Sequence, residues 1–232
     1  MKIVFLGDSL TASAEVTIGS RWTYIVGLAN GYLPSEIINA GVSGNTSTQM
    51  LARLQDDVLF HNPDVCVLML TVNDRTNNFT IAKHESNYRN IIEQLKGAGI
   101  KVVVMSPPLY TRNLDLWRPW VEKGEEIAGD TGCHYIDCWR EFVYASYYLP
   151  NWYPVLYKDY VHQTAAGNAL IASVCARKTH TTAFIRGVVQ PPEQPPEQPP
   201  VQCGCSELTL ALADLQANGA TAARLSRVSS AL

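Results

Sequence analysis

No stretch of this sequence is apolar for the about 20 residues that an α-helix needs to cross a bilayer, so no membrane span is expected. The run nearest the amino end, Ile3-Val4-Phe5-Leu6, is broken by Gly7 and Asp8, well short of the core of a secretion signal. The expected location is therefore cytoplasmic, with an extracellular or virion-associated site after lysis as the alternative. Basic residues are not in excess either: 18 Lys and Arg against 21 Asp and Glu leave a formal net charge of −3. Such a chain lacks the basic face that nucleic-acid partners select, and none is expected. The six cysteines are too irregularly spaced for a disulfide framework, which a domain of this size does not need. Cys66 and Cys175 sit in apolar stretches and read as buried thiols. Cys203 and Cys205 read as an exposed pair open to oxidation or cross-linking. Cys133, His134 and Cys138 match no familiar zinc spacing, even with Cys203 and Cys205 added, so no metal or cofactor is expected.

What is present is an alternation of short apolar runs and helical patterns. The runs Ile3–Leu6, Glu36–Asn39, Val65–Leu70, Val102–Ser106 and His134–Ile136 are continuous or β-branched, as strands buried on both faces should be. Between them lie helical stripes. One, capped by Ser20, carries Trp22, Val26 and Ala29; a second carries Leu51, Leu54 and Val58 and stops at Pro63. A third carries Ile81, Tyr88, Ile92 and Leu95 and ends at Gly97 and Gly99. A weaker one runs from Val121 to Ala128, and a last one, capped by Thr164, carries Leu170, Ile171, Val174 and Cys175. This order predicts an α/β fold: three layers, α/β/α, around a central parallel five-stranded sheet. Ligands of such folds sit beyond the carboxyl ends of the strands.

The pattern changes after residue 186. Residues 187–202 contain the tandem PPEQ, PPEQ, PPVQ, which cannot build a core and reads as a stiff, extended spacer. Residues 203–232 are rich in alanine and leucine, with Leu208, Leu212 and Leu215 on one helical face. Two readings of this tail stand: a fraying end, or a short helix that docks on another protein or on a second copy.

Four short blocks hold the candidate chemistry. Gly7-Asp8-Ser9-Leu10 follows the first strand, Gly41-Val42-Ser43-Gly44-Asn45 the second and Thr71-Val72-Asn73-Asp74 the third; Asp159-Tyr160-Val161-His162 precedes the last helix. A serine hydroxyl attacks a carbonyl only once a base takes its proton, which a neutral histidine can do. A carboxylate behind the histidine fixes its tautomer, and the spacing of Asp159 and His162 lets one loop present both. Convergent N–H donors must then hold the oxyanion. The backbone of Ser9, the backbone of Gly44 and the side-chain amide of Asn73 can supply them.

In these blocks the sequence resembles the SGNH (GDSL) hydrolase family over about residues 1–180. Ser9 matches the nucleophile block, Gly44 and Asn73 the two oxyanion blocks, and His162 with Asp159 the last. The resemblance implies the three-layer, flavodoxin-like fold and an SGNH hydrolase domain over residues 1–186. It also implies hydrolysis of esters or thioesters through an acyl-enzyme, without a metal. The third block of the family reads Gly-x-Asn-Asp; Thr71 stands in place of its glycine, which is expected to crowd or reshape the loop and bears on acyl-group size more than on activity. Thr11 rules out the Gly-x-Ser-x-Gly elbow of the α/β-hydrolases around Ser9.

Asp8 reads as a brace for its loop and Asp74 as a turn residue. His61, His84, His134 and His180 have no partnering motif and read as ordinary. Aromatic residues crowd the region from 110 to 160, among them Tyr110, Trp120, Trp152, Tyr153 and Tyr157. They serve as core, or in part as a platform for a sugar ring beside the Asp159–His162 loop. The expected substrate is a short acyl ester, such as acetyl, on a carbohydrate. The rivals are a lipase- or thioesterase-like activity on longer chains, acyl transfer to an alcohol, and a non-catalytic carbohydrate-binding or attachment module.

Overall fold

The computed structural model describes residues 1–108, 114–149 and 151–177. The proline spacer, the tail, Cys203, Cys205, His180 and Tyr110 lie outside the described residues, as do the readings attached to them. Five strands form one sheet: β1 (Ile3–Gly7), β2 (Ile37–Gly41), β3 (Val65–Met69), β4 (Lys101–Met105) and β5 (His134–Ile136). All neighbours are parallel and the order is β2-β1-β3-β4-β5. The helices are α1 (Ser9–Ala12), α2 (Trp22–Ala29), α3 (Ser47–Ala52), α4 (Leu54–Asp57), α5 (Asn73–Thr76), α6 (Ile81–Gly97), α7 (Leu114–Asp130), α8 (Cys138–Tyr148), α9 (Trp152–Leu156) and α10 (Ala165–Arg177). Among the described residues, no helix is long and apolar enough to cross a membrane.

Alternation along the strands builds two cores. Ile3, Phe5, Val65, Val67, Val103 and Met105 face α2, α8, α9 and α10. Val4, Leu6, Cys66, Leu68, Val102 and Val104 face α3, α4, α6 and α7. Every residue of β1 and β3 is buried, which is why both strands read as unbroken apolar runs. Cys66, Cys138 and Cys175 are buried, and burial pushes the Cys66 and Cys175 thiols up to about 12.

Several helices differ in detail from the sequence pattern. Ser20 ends a short 3-10 turn (Ile18–Ser20) and does not cap α2, and Ala29 is exposed. The stripe of Leu51, Leu54 and Val58 is split into α3 and α4 at Arg53. The helix α7 begins at Leu114, ahead of the expected start, with Pro119 inside it. A proline lacks the N–H for a helix interior, so its presence masks a helix that packing sustains. The helix α8 buries Cys138, Phe142 and Ala145 on one face, a stripe hidden among aromatic residues.

Because β1 is central and the chain moves to β2 on one side and β3 on the other, the sheet has a switch point at the carboxyl ends of β1 and β3. The loops after β1, β2 and β3 open there. Close packing sets their positions: a Cβ on Gly41, the last residue of β2, would lie 2.2 Å from the Ala12 backbone nitrogen in α1. Gly41→Ala must therefore push α1 away from the sheet. Urea unfolding should show a loss of about 1–3 kcal/mol, the usual cost of overpacking.

Candidate active site

Ser9 is the first residue of α1 and is 7% exposed. Asp8 caps this helix, its Oδ1 accepting from Leu10 N at 2.9 Å. Among the described residues, neither the Ser9 hydroxyl nor its backbone N–H is hydrogen-bonded. Gly44 lies in a turn closed by Asn45 N donating to Val42 O, and its φ of +79° is one that side chains resist. Its N–H is likewise unengaged among the described residues, and the space beside its Cα is open.

Asp8 is far more than a local brace. Its Oδ2 lies 2.6 Å from Thr71 Oγ1 and accepts from Val72 N at 3.3 Å and Asn73 Nδ2 at 3.2 Å. The loops after β1 and β3 are thus joined through one buried carboxyl. Burial raises the Asp8 pKa, against the pull of hydrogen bonds from Thr71, Leu10 and Val72 and of the charge on His162. Thr71 Oγ1 also lies 2.9 Å from Asn45 O, so one hydroxyl proton faces two acceptors. Thr71 is buried with its hydroxyl turned into this network, so it shapes the loop through hydrogen bonds.

Asn73 Nδ2 faces Asp8 Oδ2 and, at 3.1 Å, Asn45 O. Its amide is turned inward, unlike the two backbone donors, so serving an oxyanion means sharing or exchanging one of these long contacts. A guanidinium completes the frame. Arg53 donates to Gly7 O and Ala40 O, both at 2.8 Å, and to Asn45 Oδ1 at 2.7 Å, while pairing with Asp57. It gathers the ends of β1 and β2 and the second loop. Sequence reading missed Arg53, since a lone arginine between two apolar stripes looks like a solvated residue.

The last block sits on a small hairpin closed by the Tyr157–Gln163 bridge and by Lys158 N donating to His162 O. Asp159 Oδ1 accepts from the backbone N–H groups of Val161 and His162, both at 2.8 Å, and Oδ2 meets His162 Nδ1 at 2.9 Å. With Nδ1–H donated to Asp159, Nε2 is left as the acceptor, the tautomer a general base needs. His162 makes no hydrogen bond to Ser9 in this structure; its charge is nonetheless felt at Asp8, the residue beside Ser9. Trp22 ties α1 to α10: its backbone N–H donates to Asn168 Oδ1 in α10 at 3.0 Å, and its indole N–H to Leu10 O in α1 at 2.9 Å.

The sequence matches the GDSL-like lipase/acylhydrolase family over residues 5–170. The chain belongs to this family. It is a carboxylic ester hydrolase. Among its relatives is an acetylxylan esterase of Geobacillus stearothermophilus, 26% identical over 76% of this chain and 93% of the relative. An arylesterase of Vibrio mimicus is 32% identical over 47% of this chain and 57% of the relative. A crystal structure of the acetyl xylan esterase AlAXEase superposes with a TM-score of 0.66 at 26% identity, covering 75% of this chain and 97% of that one. These relatives are esterases, which favours the hydrolase reading over a non-catalytic attachment module.

Two further sequence readings change for this GDSL hydrolase. Asp74 is no ordinary turn residue: it is fully buried, with Oδ1 accepting from Ser47 N at 2.7 Å. His84 is not ordinary either, since its Nδ1 meets Asp74 Oδ2 at 2.7 Å and the ring is 1% exposed.

Desolvation works against the Asp159 charge, but the backbone N–H groups of His162 and Val161 and the His162 ring outweigh it, lowering Asp159 from 3.8 to about 2. A carboxyl whose folded value lies below its unfolded one stabilises the fold above the unfolded value. That contribution disappears as pH falls through the folded value. The stability gap between wild type and Asp159→Asn should therefore be constant above about pH 4 and close toward about pH 2 when followed by urea unfolding.

Proposed function

We propose that this hydrolase cleaves short acyl esters, acetyl esters of a carbohydrate in particular, through Ser9, His162 and Asp159. In this reading His162 Nε2 takes the proton of Ser9 Oγ as the oxygen attacks the ester carbonyl. The oxyanion is received by the N–H groups of Ser9 and Gly44 and by the Asn73 amide. His162 then protonates the leaving alcohol, and water repeats the cycle on the acyl-enzyme to release the acid. What supports the reading is that, among the described residues, the Ser9 hydroxyl and the backbone N–H groups of Ser9 and Gly44 are unengaged, in loops that follow the paired strands β1 and β2. The Asp159–His162 hydrogen bond leaves Nε2 of the imidazole as an acceptor.

The sugar part rests on two supports. The acetylxylan esterase relative spans most of this chain. The aromatic region also splits as a binding rim would: Trp117, Trp152 and Tyr157 are buried, while Tyr160, between Asp159 and His162, is 84% exposed and Tyr147 is 69% exposed. An exposed ring within the proposed catalytic loop suits stacking against a pyranose.

A fluorophosphonate probe should label the wild-type protein and not Ser9→Ala. Asp159→Asn should keep the fold and lose about 10²–10³-fold in kcat, less than the ~10⁴-fold of a buried triad carboxylate because Asp159 is half exposed. Wild-type turnover in that variant would remove Asp159 from the mechanism. Across p-nitrophenyl esters, kcat/KM should be greatest for acetate; a rate that climbs with chain length would favour the lipase-like alternative.

A further inference from the structure

We propose that the polar side chains on the buried face of α6, His84, Asn87 and Tyr88, position the oxyanion donors. The inference rests on Gly44 and Asn73 serving as those donors. Positions 84, 87 and 88 stand at i, i+3 and i+4 and so share one face of the helix. Further along the same helix the buried face is apolar, with Ile91, Ile92 and Leu95. The stripe turns polar only where it passes behind the loops after β2 and β3, and each of its polar residues is at most 4% exposed.

Each side chain holds one of those loops. Tyr88 Oη accepts from Thr71 N at 2.8 Å, fixing the third block at its start. His84 Nδ1 meets Asp74 Oδ2 at 2.7 Å, fixing it just past Asn73. The other oxygen of Asp74 takes the Ser47 N–H at the start of α3, and Asn87 Nδ2 donates to Ser47 Oγ at 2.7 Å and Thr48 Oγ1 at 2.9 Å. Residues 47 and 48 follow Gly44 by three and four places. One rigid helix is thus the common reference for both donor loops, and it sets the separation of the Gly44 N–H from the Asn73 amide.

The arrangement is costly if it serves stability alone. Among the described residues, His84 Nε2 is buried without a hydrogen-bond partner, and the ring lies between Tyr88 at 4.6 Å and Trp120 at 5.1 Å between centroids. An apolar side chain would fill the same space without an orphaned nitrogen. What it could not do is hold Asp74, and through Asp74 both loops, at fixed distances. Donors that stabilise a transition state must be placed to within about half an ångström, so support of this kind acts on rate more than on binding. These are positioning residues; none of them needs to touch substrate.

The test uses the full chain with Tyr88→Phe, His84→Leu and His84→Gln, with Ser9→Ala alongside. Tyr88→Phe removes a single hydroxyl and is the variant least able to disturb folding. For p-nitrophenyl acetate, Tyr88→Phe and His84→Leu should lose about 10- to 100-fold in kcat per folded molecule with KM within about twofold. Affinity for an alkylboronic acid, which mimics the tetrahedral state on the serine, should fall by a similar factor. His84→Gln, which can still donate toward Asp74, should recover most of the loss. Unchanged kcat and unchanged boronate affinity in folded Tyr88→Phe would overturn the proposal while leaving the Ser9 mechanism intact. Full hydrolysis by Ser9→Ala would overturn both.

Discussion

The buried carboxyl of Asp8 is the joint on which the site depends. It lies between Ser9 and the first strand, and it takes hydrogen bonds from three consecutive residues after the third strand. A carboxyl withdrawn from water on this scale is tolerated only when its oxygens are matched, and here each partner belongs to a loop that must be placed. Desolvation and placement are therefore two sides of one arrangement: the carboxyl is satisfied only if the loops are where the chemistry needs them. Arg53 repeats the logic with the opposite charge, filling the carbonyls that end β1 and β2.

The fold itself asks little of these groups. Two apolar cores, one on each face of the sheet, account for the layered architecture, and the strands need no polar help to find their register. Polar networks gather at the carboxyl edge, where strands end and backbone groups lose their ladder partners. The proposed site lies at that edge, where strand ends leave backbone donors free to meet a ligand.

Much of this was legible in the sequence, for physical reasons. Strands covered on both faces must be apolar throughout, so Ile3–Leu6 and Val65–Leu70 announced themselves. The candidate triad was legible because its residues stand in compact blocks directly after strands or before a helix. What escaped were single polar residues whose partners are distant in sequence. His84, Asn87 and Tyr88 look like interruptions of an amphipathic stripe, since their partners lie 10 to 40 residues away. Asp74 read as a turn residue because nothing local betrays its burial. Thr71 read as crowding or reshaping its loop; the hydrogen bonds by which it shapes the loop were hidden, because hydroxyl direction is not visible in a sequence. The helix expected from Val121 to Ala128 extends back to Leu114 in the structure, across Pro119, which a helix interior normally rejects.

The pair of hydrogen bonds made by Trp22 has a consequence for how the enzyme is made. One indole and its backbone amide connect Leu10, in α1 beside Ser9, to Asn168, which is 146 residues further along the chain than Trp22. As the ribosome releases the chain, the strands β1, β2 and β3 can pair before residue 168 exists. Asp159 and His162 stand just ahead of α10 and are made shortly before it. Synthesis therefore delivers the proposed nucleophile 153 residues ahead of its proposed base, and Trp22 completes its hydrogen bonds only once α10 is in place.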